Sequence, residues 1–312
     1  VPLTDWSLRA GGRLSYNDYS GNLYLEPRIR VEYRLDPRMS FSLASGNYIQ
    51  PIRRVAEQNL FLRQPDRWRL SDGDLLPESR SFHTSLGMHY EHKRFQASVE
   101  GYYKRLKGVV LNQEQNRLLS AFTVENEQLS IGKGEVIGAD LMVNYEQGAH
   151  SAWLAYSYTY SANVFEDIDD GDPMPSTYNK PHDIKMVYDY RYRDYTFHSQ
   201  WTASTGYPYT PVLGVFEGPG GDPFLVYGEE LSARLPDQFR WDISLSRHFS
   251  LRDMDLHLGA GIFNLTDHRN IRTRTYSTNQ VRDEAPEELR INTIDLELIG
   301  LSPTFSLRLD FR

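Results

Sequence analysis

The stretch His182-Asp183-Ile184-Lys185-Met186-Val187-Tyr188-Asp189-Tyr190 alternates in character. Ile184, Met186, Tyr188 and Tyr190 fall on one face, and Asp183, Lys185 and Asp189 on the other. Arg191–Asp194 reads as a turn, after which Tyr195–Ala203 alternates again. Tyr195, Phe197, Trp201 and Ala203 share a face; Thr196, His198, Gln200 and Thr202 share the opposite one. A two-residue period belongs to strands. A short turn joins these two, and about thirty loop residues follow the second. Short turns at one end and long loops at the other are the rhythm of an outer-membrane β-barrel.

The same rhythm extends in both directions. Leu23, Leu25, Ile29, Val31 and Tyr33 alternate with Glu26, Arg28, Arg30, Glu32 and Arg34. Pro27 has no N–H for a ladder, so it is expected near a strand end or at a bulge. Further alternating runs are read at about 5–16, 39–43, 81–91, 95–105, 137–145, 152–160, 239–245, 254–262 and 305–311, giving twelve strands. Short turns are expected at 35–38, 92–94, 146–150, 191–194 and 250–253. Long loops are expected at about 46–80, at 106–132, around the acidic run Glu166–Asp172, at 206–234 and at 267–300, where Ile291–Ile299 has the character of a strand above the membrane. Asn17–Asn22 is the one short connection on the long-loop side.

Composition fits this architecture. Hydrophobic residues make up 39% of 312, mean hydropathy is −0.58, and no run approaches the ~20 apolar residues of a membrane helix. A barrel strand needs only alternation over ~10 residues. The 21 tyrosines suit aromatic girdles at two bilayer interfaces. With no cysteine there are no thiolate metal sites, disulfides or thiol nucleophiles. A net charge of −8 argues against nucleic acid as a partner. No signal peptide is legible, as expected of a mature or trimmed chain.

Ordered along the chain are Leu25-Glu26-Pro27-Arg28, Gly132-Lys133-Gly134 ahead of the sixth strand, Pro181-His182-Asp183, Gly206-Tyr207-Pro208-Tyr209-Thr210-Pro211, Arg234-Leu235-Pro236, Arg240-Trp241-Asp242 and Asn264-Leu265-Thr266-Asp267. In order and placement this set resembles TonB-dependent outer-membrane transporters, with a Bacteroidetes, SusC-like flavour; Trp241 stands where the family has Leu. The resemblance covers nearly the whole chain. It implies active uptake of a large nutrient such as a metal chelate, vitamin, oligosaccharide or peptide. The implied partners are a plug, the TonB complex and a SusD-like surface lipoprotein. The family barrel has about 22 strands and a plugged lumen. Twelve strands with neither plug nor TonB-contacting box resemble the C-terminal part of such a barrel, over residues 1–312. Open sheet edges in lipid leave unpaired N–H and C=O groups costing several kcal/mol each. Either further strands complete the barrel, which is the favoured reading, or the twelve close on themselves as a passive pore.

Candidate site residues sit in the loops. Trp68, Tyr207, Tyr209, Phe216 and Phe224 have faces that stack on a sugar or chelate ring; ordinary loop packing is the plainer reading. The acidic run around Asp167, Asp169, Asp170 and Asp172 offers oxygen ligands for Ca²⁺, although its spacing departs from an EF-hand and a solvated charge run serves as well. His83, His89, His198 and His257 fall on polar strand faces, without HExxH spacing. No recognisable Ser/His/acid set is present. An enzyme is not expected, and an outer-membrane hydrolase is the remaining alternative.

Overall fold

The computed structural model describes residues 5–55, 67–73, 76–112, 129–218, 223–281 and 288–311. Twelve long strands run in chain order, each antiparallel to the next. They are β1 (Trp6–Asn17), β2 (Asn22–Arg34), β3 (Met39–Gln50), β4 (Ser79–His92), β5 (Phe95–Asn112) and β6 (Leu129–Gln147). They continue with β7 (His150–Val164), β8 (His182–Tyr192), β9 (Tyr195–Ser204), β10 (Gln238–Ser250), β11 (Met254–Phe263) and β12 (Ser302–Phe311). A two-residue strand, Met174–Pro175, adds to the loop end of β7. Among the described residues β1 pairs only with β2, and β12 only with β11. The sheet is therefore open at both edges.

Register makes one face of this sheet continuous. Across β3, β4, β5 and β6 the rows Phe41–Met88–Val99–Leu141 and Leu43–Leu86–Gly101–Ala139 point the same way. Trp201 and Trp241 continue that face on β9 and β10, stacked 5.7 Å apart, and the Trp241 indole donates to Ser199 Oγ at 2.8 Å. The opposite face carries Ser, Glu, Arg, Asp and His. A slip of one residue would exchange the two faces. On the polar side Tyr102 lies across Gly138, where a Cβ would stand 2.5 Å from the ring, and its hydroxyl meets Thr159 Oγ1 at 2.7 Å. His83, His89, His198 and His257 lie on this polar face: His198 meets Asp189 at 2.7 Å, His257 meets Asp310 at 3.7 Å, His89 meets Glu91 at 3.8 Å, and the His83 ring lies 4.7 Å from that of Tyr48, tilted against it. Arg30 likewise donates to Glu32 at 2.7 Å.

Several expected boundaries move. Three turns tighten to two-residue loops, whose first residues Lys93, Gly148 and Arg193 have positive φ, as the right-handed twist of a hairpin demands. β5 and β6 run well past the expected span, so the loop between them shrinks to 113–128, outside the described residues. Gly132-Lys133-Gly134 lies inside β6 rather than ahead of it. The reason is packing: a Cβ at Gly132 would stand 2.6 Å from the Phe165 ring, and one at Gly134 2.5 Å from Asn163 Oδ1. Pro27 sits mid-strand in the β1–β2 ladder, but the β2–β3 ladder begins only at Arg28. Beyond that point Glu26, 2% exposed, takes the partner strand's place by accepting from Ile49 N at 2.7 Å.

The long connections are not irregular. Ile52–Val55 pairs with Arg67–Leu70, Pro208–Tyr209 with Ala233–Arg234, Val212–Glu217 with Pro223–Tyr227, and Ile271–Val281 with Glu288–Glu297. The last hairpin contains most of the segment expected as a strand above the membrane. A small apolar core of Phe165, Ile168, Met174 and Leu231 closes on Val109 and Leu111 near the same rim.

Candidate functional site

The sequence motifs meet at the loop-side rim, where they tie the loop bases down. Asn264, fully buried with φ 52°, accepts from His268 N at 3.2 Å through Oδ1. Its Nδ2 donates to His268 O at 3.0 Å and Ile299 O at 3.3 Å, and its own N–H donates to Asp242 at 2.9 Å. Asp267 accepts from Leu301 N at 2.8 Å. Asn270 imitates a strand, donating to Phe239 O and accepting from Phe239 N, both at 2.8 Å. Arg234 donates to Asn179 O and Gly206 O at 2.8 and 2.7 Å. Only glycine fits at Gly206, because a Cβ would lie 1.9 Å from Leu235 O. Buried backbone groups that lose their ladder must find other partners, and these side chains supply them.

The clamp carries a polar and aromatic crown. Arg274 holds Asp295 bidentately, Nε to Oδ1 at 2.7 Å and Nη2 to Oδ2 at 2.9 Å. Its third arm, Nη1, donates to Tyr209 Oη at 3.1 Å, and the guanidinium lies 5.4 Å from the Tyr209 ring centre. Hydrogen bonding to Asp295 pushes the Arg274 pKa up, and the same bond holds the Asp295 carboxyl below its usual range. Burial, then the neighbouring Tyr209, raises the Tyr276 hydroxyl; burial, then Glu230, raises that of Tyr227. Both phenols therefore stay protonated at neutral pH. Fixed phenols beside a neutralised guanidinium suit stacking and hydrogen bonding to a planar polar ligand.

The expected aromatic set divides. Tyr207 and Tyr209 join the crown, with Lys180 Nζ 5.0 Å from the Tyr207 ring centre. Phe216 and Phe224 stack on each other 5.6 Å apart within their own hairpin. Trp68 is 66% exposed on the β3–β4 loop, five strands from β9 in the sheet order. In the acidic run, Asp167 accepts from Ser130 Oγ at 2.6 Å, and Asp170 and Asp172 are exposed. The Asp169 side chain lies outside the described residues. Among the described residues no three His, Asp or Glu side chains gather at metal-ligand spacing. Arg274, Asp295, Tyr276 and Tyr227 were missed from sequence. The alternation Arg272-Thr273-Arg274-Thr275-Tyr276 was the available signal.

Comparison with known proteins gives the setting. The ferric citrate transporter FecA in its unliganded form matches with TM-score 0.58 at 12% identity, over 98% of this chain and 43% of that one. The FrpB iron transporter of Neisseria meningitidis matches with TM-score 0.57 at 14% identity, over 98% and 43%. The outer-membrane ferripyoverdine receptor of Pseudomonas aeruginosa, bound to ferripyoverdine, matches with TM-score 0.58 at 13% identity, over 88% and 34%. At these identities the likeness shows the fold, and the chain spans about a third to two-fifths of the solved chains it matches. No curated protein matches. The family model described as TonB dependent receptor-like, beta-barrel matches residues 1–265. The chain belongs to this family of outer-membrane receptors, which are not enzymes.

Proposed function

We propose that this chain is the C-terminal part of a larger barrel that takes up a bulky nutrient in a TonB-dependent step. The observation that carries the reading is the open amphipathic sheet, whose motif-clamped rim holds an ordered crown of aromatic and charged residues. Its edge strands have N–H and C=O groups free for pairing, which lipid cannot satisfy and which further strands would pair. The polar face lines the lumen, and the long loops face outside. The lumen then accommodates a plug, and the crown around Tyr207, Tyr209 and Arg274 receives cargo. Ferric chelates are the first cargo to try, because the matched proteins are a ferric citrate transporter, an iron transporter and a ferripyoverdine receptor. The SusC-like flavour of the motifs adds a surface lipoprotein over the loops as a candidate partner, sought by co-purification in mild detergent.

The test is uptake of labelled cargo by cells producing the full native polypeptide, with TonB present or deleted. Uptake that stops without TonB supports the reading. Uptake that continues unchanged makes the barrel a passive pore. Intact mass distinguishes the two as well: a lone species of 36.2 kDa would sink the larger-barrel proposal.

A further inference from the structure

Above the apolar band, the outward face of β4, β5 and β6 carries a row of three cations. Arg80 stands directly opposite Lys107, and Lys107 directly opposite Lys133. Like charges directly opposite on adjacent strands repel. The next row toward the membrane is Phe82, Arg105 and Glu135. Arg80 leans on Glu78 at 3.8 Å, and Lys133 on the exposed Glu166 at 3.7 Å. Among the described residues, Arg105 and Lys107 form no ion pair with an acid; both are exposed.

A groove of about 480 Å³ lies below and beside this row, with Leu25, Ile49 and Phe82 as its apolar wall and Arg80, Arg105 and Lys107 at its polar end. It opens where β2 and β3 part beyond Pro27. The polar end is built rather than loose. Gly108, with φ 69°, forms a β-bulge immediately after Lys107, and bulges re-aim neighbouring side chains. Arg53 donates to Gly108 O at 2.7 Å, and a Cβ on Gly108 would stand 2.6 Å from Glu78 O. The loop base is thus packed against the bulge.

We propose that this groove binds a membrane lipid with a phosphorylated head group, in the leaflet on the long-loop side. Phosphates would sit among Arg80, Arg105, Lys107 and Lys133 and turn their mutual repulsion into attraction, while acyl chain lies along Leu25, Ile49 and Phe82. Charge complementarity selects an anionic head, and continuity with the lipid-facing apolar band selects a lipid over a soluble anion. The assignment of leaflet rests on the long loops facing outside; binding itself does not depend on transport.

The test is native mass spectrometry of the full receptor in mild detergent, with bis-phosphorylated lipid A or its dephosphorylated counterpart as probe. Arg105→Gln with Lys107→Gln should cut the retained phosphorylated lipid about twenty-five-fold, taking a roughly fivefold loss per basic contact. The dephosphorylated lipid should be retained weakly and equally by both proteins, and excess inorganic phosphate should not displace the phosphorylated one. Heat-modifiable gel mobility reports that the variant barrel is folded. Unchanged retention in the folded double variant overturns the proposal, as does displacement by inorganic phosphate, which would make the row a free-anion site. If the double variant fails to fold, Lys107→Gln alone is read the same way, with about a fivefold loss expected.

Discussion

At the β9–β10 and β11–β12 loops, asparagine amides and Arg234 hold the loop bases; at the β3–β4 loop, Glu78 and Arg53 do. Glu78, 5% exposed, accepts from the Tyr24 hydroxyl and from Asn22 at 3.3 Å. Arg53 donates to Gly108 O and Pro77 O. Burial works against a charged Glu78, but hydrogen bonds from Tyr24, its own backbone, Asn22 and Ser20 hold its pKa below the usual value. Both solutions satisfy backbone groups that leave the ladder at the rim. They differ in how they fail. A neutral amide that is cut away leaves unpaired amides, whereas a carboxylate that is cut away also leaves cations nearby without their counter-charge.

The sharpest way to break the comparison is Asn264→Ala. Three backbone groups lose partners, and alanine must hold φ 52°. The expected loss is about 3–4 kcal/mol, measured by denaturant unfolding of the full barrel in detergent. Asn264→Gly should recover about 1 kcal/mol of that, because glycine accepts the left-handed conformation. Glu78→Ala should cost less, about 2 kcal/mol, because its lost partners, the Tyr24 hydroxyl and the Asn22 amide, are side chains that can turn to other acceptors, and no left-handed residue is strained. If the two variants lose equal stability, the two clamps are energetically alike.

The clamps also differ in how far they could be read from sequence. Strand faces were legible because lipid on one side and water on the other impose a strict two-residue period, as at Ile184, Met186, Tyr188 and Tyr190. The Asn264 and Arg234 clamp was visible as motif but not as mechanism: the string Asn-Leu-Thr-Asp says nothing of which carbonyls its amide meets. Glu78 and Arg53 left no trace, since their partners lie 54 and 55 residues away. Gly132-Lys133-Gly134 looked like a strand entry because glycine usually interrupts strands, yet here it makes room for Phe165 and Asn163. Arg274 and Asp295 were hidden for a further reason. Their contact depends on the register of a hairpin, which alternation alone cannot set.

Arg274→Lys isolates that hairpin from the clamp beneath it. Lysine keeps the charge but loses the fork that grips both carboxylate oxygens and Tyr209. The pair is about a quarter exposed, so solvent screens much of its charge. The expected cost is about 1 kcal/mol of local stability, read as faster hydrogen exchange in peptides covering 271–281 and 290–297. The denaturant midpoint of the barrel should stay unchanged. A shift of that midpoint would mean that the crown and the clamp unfold as one unit.

Acid is the mildest probe of the same pair. Asp295 has its folded-state pKa depressed, first by its hydrogen bonds from Arg274 and against a smaller effect of burial. A depressed carboxylate contributes stability that is fully present above its unfolded pKa, about 3.9, and lost as pH falls through the folded value. Pepsin nicking of the 271–297 hairpin, followed by mass spectrometry, should therefore stay slow at about pH 5 and accelerate only below about pH 4. Asp295→Asn removes the titrating group, so its nicking should follow only the protease's own pH profile. If wild type and variant respond alike, the charge on Asp295 does not hold the crown in place, and packing around Tyr209 and Tyr276 does. Asn264 itself carries no ionisable group, so its side-chain bonds to His268 and Ile299 should be indifferent to this titration.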